Sequence, residues 1–179
     1  MEVNNDKSLC PFLLDHITHH QTIKSNDIRA KPQPLRNWEF PMLHTDNLEK
    51  AVAALKRSLD VFESRRSDSD SDLLETIRSG VIQNFEVAYE LSWKHIQRWI
   101  KTNRSAEEAE NPRTRKDLFR LAAKAGLISD PFPWFAYGDA RNLTSHVYSG
   151  EKADIVLQAA KSFLNDARYL LRQLIAGNG

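Results

Sequence analysis

From Leu48 onward, apolar residues recur at helical spacing. Leu48, Val52, Leu55, Leu59 and Phe62 step by four and three, a narrow seam along one helix face. Thr45 or Asp46 caps this helix, with Glu49 in its first turn. Ser67 to Asp72 alternates serine and aspartate and predicts a polar turn. A long helix follows, from about Asp72 to Lys101. Leu74, Ile77, Val81, Phe85, Ala88, Tyr89, Ser92, Ile96 and Trp99 mark its wide inner stripe, and Glu86, Glu90, Gln97 and Lys101 fall on the other side. Asn111 followed by Pro112 predicts a third helix start, because proline at the first turn forfeits no hydrogen bond. Leu118, Leu121, Ala122 and Ala125 form the buried face of that helix, and Gly126 ends it. Asp130-Pro131-Phe132-Pro133 predicts a turn, and a short fourth helix starts near Trp134. Ser149-Gly150 breaks the chain. The last helix runs to about Ala176, with Ile155, Ala159, Phe163, Ala167, Leu170 and Leu174 facing inward. No alternating strand pattern is present. Residues 42–179 therefore predict an all-α, up-and-down bundle of four main helices plus one short one.

Residues 1–41 have a different character. They hold Pro11, Pro32, Pro34 and Pro41, with short apolar patches but no sustained period. They read as a mobile or loosely docked arm, or as sequence upstream of a true start at Met42. Cys10, His16, His19 and His20 are too loosely spaced for a zinc site, and no metal is expected. A single cysteine excludes an intrachain disulfide and fits a cytoplasmic location. No apolar run approaches the length of a membrane span. A net charge of +1 excludes a broadly basic surface, so any nucleic-acid contact is local.

The densest chemistry lies in Arg141-Asn142-Leu143-Thr144-Ser145-His146-Val147-Tyr148. A guanidinium binds phosphate oxygens in pairs and keeps its charge. Histidine exchanges protons near neutrality. Together they suit phosphodiester chemistry without a metal, although an exposed, ordinary helix end accounts for the same residues. Arg141 and His146 are five apart, about 140° around a regular helix. Either the helix breaks near Leu143 to Ser145, or groups from two copies meet across a two-fold axis, which favours a homodimer. Arg113, Lys116, Arg120 and Lys124 form a basic stripe that either holds a phosphate backbone or is simply a solvated face. Glu90 and Lys94 read as a local ion pair. Trp93 and Trp99 read as packing or interface residues, Trp134 as an anchor for its turn, and His95 as a hydrogen-bonded core histidine. There is no glycine-rich phosphate loop and no magnesium-binding carboxylate pattern, so no cofactor is expected.

Arg141-Asn142, His146 and Tyr148 resemble the Arg-x4-His-x-Tyr motif of the all-helical HEPN superfamily. Together with Phe85 to Lys94, Asn111-Pro112-Arg113 and Ala123 to Ile128, they resemble the nucleotidyltransferase substrate-binding protein family over about residues 44–175. The resemblance implies a compact helical dimer with no counterpart of residues 1–41. It also implies a minimal nucleotidyltransferase partner encoded by a neighbouring gene. Related HEPN proteins are toxin ribonucleases with the transferase as antitoxin. Carried over, Arg141 and His146 become the catalytic pair, Asn142 their orienting residue, and Tyr148 the acceptor of an AMP group that repels RNA. The alternative is a non-catalytic substrate-binding or accessory subunit of the transferase.

The absence of a core-forming period before Met42 makes the arm dispensable for folding. A chain starting at Met42 should keep its helical circular dichroism and its melting transition. A large loss of either would show that the arm is part of the fold.

Overall fold

The computed structural model describes residues 44–105, 107, 112–144 and 150–177. The expectations for the 1–41 arm and for Met42 lie outside the described residues. Five helices are set out by the described residues: α1 (Asp46–Arg65), α2 (Ser71–Asn103), α3 (Arg115–Lys124), α4 (Pro131–Leu143) and α5 (Gly150–Ala176). No strand occurs among the described residues, as the periodicity predicts. The long helices α1, α2 and α5 pack on one another, while α3 and α4 pack together against α2, with α4 also lying on α5.

The expected seam of α1 is buried throughout, from Leu48 to Phe62. On α2, Val81, Phe85, Ala88, Tyr89, Ser92 and Ile96 are buried, as their spacing predicts. Asp70 caps α2 by accepting from the backbone N–H groups of Asp72 and Leu73, which satisfies two of the donors a helix start leaves open. His95 is buried, with its two ring nitrogens 2.7 Å and 3.2 Å from the carbonyl oxygens of Leu91 and His44.

The structure corrects several of the sequence expectations, two of them in α3 and α5. The third helix does not begin at Asn111-Pro112. It starts at Arg115, because Thr114 and Asp117 form a reciprocal capping box, the Thr114 hydroxyl oxygen accepting from the Asp117 backbone and the Asp117 carboxylate accepting from Thr114. The Thr114 hydroxyl holds the Asp117 carboxyl below the usual carboxylate range, with help from Arg120. Ile155 does not face inward. It is 50 % exposed, while Ala153, Val156 and Ala160 are buried. Stepping back from Phe163 by four residues at a time drifts off the buried face of a helix that turns every 3.6 residues.

Gly126 ends α3 as expected. Its φ of 78° lies in the left-handed region, its N–H donates to Ala123, and the Leu127 N–H donates to Ala122. Asp130 then caps α4, accepting from Phe132, and Pro131 occupies the first turn. Trp134 does more than anchor that turn, for it is 1 % exposed in the core.

The centre of the core is aromatic. Phe163 of α5 meets Phe85 at 5.4 Å, Trp134 at 5.6 Å and Tyr137 at 5.3 Å, mostly edge to face. Tyr89 lies 6.1 Å from the same ring. Burial pushes the Tyr137 phenol far up, reinforced by its 2.6 Å hydrogen bond to Asp166. Tyr89 also fixes how closely α2 and α4 approach. A Cβ at Gly138 would lie 2.8 Å from the Tyr89 hydroxyl, and neighbouring aromatic rings keep Tyr89 from swinging away.

Gly138→Ala should therefore destabilise the fold by about 1–3 kcal/mol, the usual cost of overpacking. Adding Tyr89→Phe should recover part of that loss in urea melts. Equal stability of Gly138→Ala and the parent chain would show that the two helices do not meet this closely.

Candidate functional site

Arg141 lies in the last turn of α4, one turn beyond the close contact at Gly138. Its side chain is 34 % exposed, and its Nε lies 3.2 Å from Oε1 of Glu90 on α2. The same carboxylate oxygen lies 3.4 Å from Nη1 of Arg115, the first residue of α3. The other oxygen of Glu90 accepts a 2.8 Å hydrogen bond from the Trp93 indole N–H. The Arg115 guanidinium sits over the Trp93 ring, 4.5 Å from its centroid, a favourable placement of a cation on an indole face. One half-buried carboxylate thus holds side chains from three helices.

Glu90 Oε1 and Arg141 Nε are both cut off from water without an in-line hydrogen bond to each other. They attract as charges at 3.2 Å, and other guanidinium N–H groups remain for a ligand. Burial raises the Tyr89 phenol above its usual range, while the positive charge of Arg115 pulls the other way.

This arrangement corrects the reading of Glu86 and Glu90 as outer-face residues. Both face α4. Glu86 accepts from the hydroxyl of Thr144, which also lies 2.6 Å from the carbonyl oxygen of Arg141. Glu90 pairs with Arg141 and Arg115, while the Lys94 ammonium lies 5.9 Å from the Trp93 ring centroid. The α4 backbone closes with Thr144, whose N–H donates to Arg141.

Asn142 is exposed beside Arg141. His146 and Tyr148 lie outside the described residues, and α4 ends at Leu143, within the 143–145 span where a break is expected. The basic stripe is not a single row. Lys116 and Arg120 lie over the Phe135 ring at 5.6 Å and 5.2 Å, and Arg120 also pairs with Asp117. Lys124 is exposed on the same helix. Arg113 precedes α3 and lines a pocket of about 190 Å³ with Trp93, Gln97 and Arg115. Arg115 was not singled out in the sequence. Its signal was present: it follows Thr114, the capping residue, and so stands where α3 must start.

Among the described residues, no group of three or more His, Cys, Asp or Glu side chains is placed to hold a metal ion. Cys10, His16, His19 and His20 lie outside them. No helix among the described residues is long and apolar enough to cross a membrane.

A family model described as nucleotidyltransferase substrate binding protein like matches residues 43–176. The probable ribonuclease HepT of Haemophilus influenzae is 40% identical over 134 residues, 74% of this chain and 92% of that protein. A solved Haemophilus influenzae structure, described as revealing the fold of a substrate binding domain of a nucleotidyltransferase, matches with a TM-score of 0.69 at 34% identity. That match covers 73% of this chain and 98% of the other.

Removing the Glu90 carboxylate leaves two guanidiniums facing each other partly out of water. Glu90→Ala should cost about 1–2 kcal/mol of stability, below the range for fully buried pairs because this one is part-exposed. Lys94→Ala should stay within about 0.5 kcal/mol of the parent, as an ordinary surface change does. Urea melts giving the two variants equal stability would contradict the pairing.

Proposed function

This chain belongs to the nucleotidyltransferase substrate-binding-like family, and from that premise we propose that it is a toxin ribonuclease of HEPN type. Its partner is a minimal nucleotidyltransferase encoded by a neighbouring gene and acting as antitoxin, with both proteins cytoplasmic. The observation that carries the reading is Arg141. It is half-buried at the end of α4 and held by the Glu90 carboxylate, five residues before His146 in sequence. The likeness to the probable ribonuclease HepT supports the same reaction class.

In the proposed reaction, the ribose 2′-oxygen bonds to the adjacent phosphorus and the bond from phosphorus to the 5′-oxygen breaks. His146 takes the proton from the 2′-hydroxyl or gives one to the departing 5′-oxygen. Arg141 stabilises the charge that builds on the phosphate oxygens, and Asn142 orients the pair. The step needs no metal, because acid–base transfer and a fixed cation supply its two demands. Arg113, Lys116, Arg120 and Lys124 are the candidate contacts to the rest of the RNA. Tyr148 is the proposed acceptor of AMP from the transferase. The added negative charge beside the cations opposes RNA binding.

Two copies form the working unit, with both Arg141 segments near the two-fold axis. Val87 on α2 and Ile155 on α5 are exposed by 43 % and 50 %, apolar surface that a second copy would cover. Light scattering at micromolar concentration should give a dimer mass, and a monomer would refute this arrangement.

One observation favours a second reading, a non-catalytic accessory subunit: the family is described as nucleotidyltransferase substrate binding protein like, and the solved structure as the fold of a substrate binding domain of a nucleotidyltransferase. The experiment is RNA cleavage by the purified chain with chelator present, before and after incubation with the transferase and ATP. Arg141→Ala and His146→Ala should each lower cleavage by about 10²–10⁴-fold with the fold intact. Tyr148→Phe should still cleave but escape silencing. Wild-type protein that cleaves nothing yet binds the transferase tightly would establish the accessory role. Cleavage that survives both alanine substitutions would remove Arg141 and His146 from the mechanism.

A further inference from the structure

Glu90 holds two arginines, and the proposed cleavage uses only one. Arg115 is the other. Its Nη1 lies 3.4 Å from the same oxygen that faces Arg141 at 3.2 Å, so the two guanidiniums are neighbours across one carboxylate oxygen. Three elements fix Arg115 in place. The Thr114–Asp117 capping box sets the start of α3, where its backbone sits. The Trp93 ring supports the face of its guanidinium at 4.5 Å. Glu90 in turn fixes the Trp93 indole through its N–H.

Such constraint is unusual for a surface arginine, which ordinarily keeps its rotamer freedom. The long side chain gives up entropy to be held, and the held geometry preserves binding capacity. Stacking occupies the face of the guanidinium, and Glu90 meets it as a charge at 3.4 Å with no in-line hydrogen bond, leaving N–H donors for an acceptor. Arg115 remains 43 % exposed. It borders the pocket of about 190 Å³ whose lining includes Trp93, Gln97, Pro112, Arg113 and Thr114. At about 30 Å³ per water, that space holds several waters, or a phosphodiester and part of its sugar. Among the described residues that line the pocket, Arg113 and Arg115 are charged and none is a carboxylate, so its lining favours an anion.

We propose that Arg115, with Arg113, forms a second phosphate subsite that takes the backbone phosphate next to the reacting one on single-stranded RNA. The assignment rests on the ribonuclease reading for the identity of the first phosphate. A single strand carries one phosphate per nucleotide, so two cations fixed side by side read two successive phosphates. Trp93 serves as the platform that holds Arg115 flat, and Glu90 sets the spacing of the two cations. Glu90 is thus a positioning residue for substrate, with no contact to the reacting atoms.

The test is fluorescence anisotropy with a labelled, 2′-O-methylated single-stranded hexanucleotide, which cannot be cleaved, run on the full chain at several salt concentrations. Arg115→Ala and Arg113→Ala should each weaken binding by about tenfold and lower the salt slope by about 0.7, the signature of one lost phosphate contact on a single strand. Arg115→Lys keeps the charge but not the stacked, forked geometry, and should fall between wild type and alanine. Circular dichroism confirms the fold of each variant. Wild-type affinity and salt slope in both alanine variants would overturn the subsite, even if the chain cleaves RNA. Weakened binding by the variants of a chain that cleaves nothing would support the subsite while removing the ribonuclease assignment. Variants that bind RNA like wild type but lose the nucleotidyltransferase would assign the patch to the protein partner and overturn the proposal.

Discussion

A carboxylate drawn partly out of water is stable only if positive charge surrounds it, and the upper end of this bundle is organised by that constraint at Glu90. The side chain is 23 % exposed and meets Arg141 from α4, Arg115 from α3 and the Trp93 indole from its own helix. Trp93 stands one turn along the same helix, but both charged partners come from other helices. The contact therefore forms only when the helices pack, and it ties the placement of the cations to the integrity of the core.

The core supplies that integrity through its aromatic centre. Phe163 gathers Phe85, Trp134 and Tyr137 around one ring, joining α2, α4 and α5. Tyr89, the residue before Glu90, fills the space against Gly138, so α4 rests on α2 at the point from which Arg141 projects. Small changes in helix spacing there would move the guanidinium relative to its carboxylate. Positioning of this kind, on helices rather than on a loose loop, gives a charged group a defined place without a metal to hold it.

The parts of the fold that depend on local period were legible in the sequence. The seam of α1, the stripe of α2, the glycine stop of α3 and the all-helical class follow from which residues recur every 3.6 positions and which residues cap. The family resemblance was legible too, because its motifs stand in order along the chain. Misreadings arose where a local signal competed with a tertiary one. Lys94 stands four residues from Glu90 and offered a sufficient local partner, whereas Arg141 lies far along the chain and becomes a neighbour only through packing. Asn111-Pro112 carries a good starting signal, yet the reciprocal Thr114–Asp117 capping box sets the helix start instead. Ile155 looked inward because stepping back from Phe163 in fours reaches it. Arg115 stayed unnoticed because its importance depends on Trp93 and Glu90, both on another helix.

The central claim is that Glu90 and Arg141 act on each other, and a double-mutant cycle on stability measures this directly. Glu90→Gln, Arg141→Gln and the double variant are melted in urea under identical salt, with the cycle repeated using Arg115→Gln. The account predicts coupling of about 0.5–3 kcal/mol in both cycles, the range found for residues in one charge network. Additivity in both cycles, within about 0.5 kcal/mol, would show that the carboxylate does not organise these arginines, and the account of the site would fall.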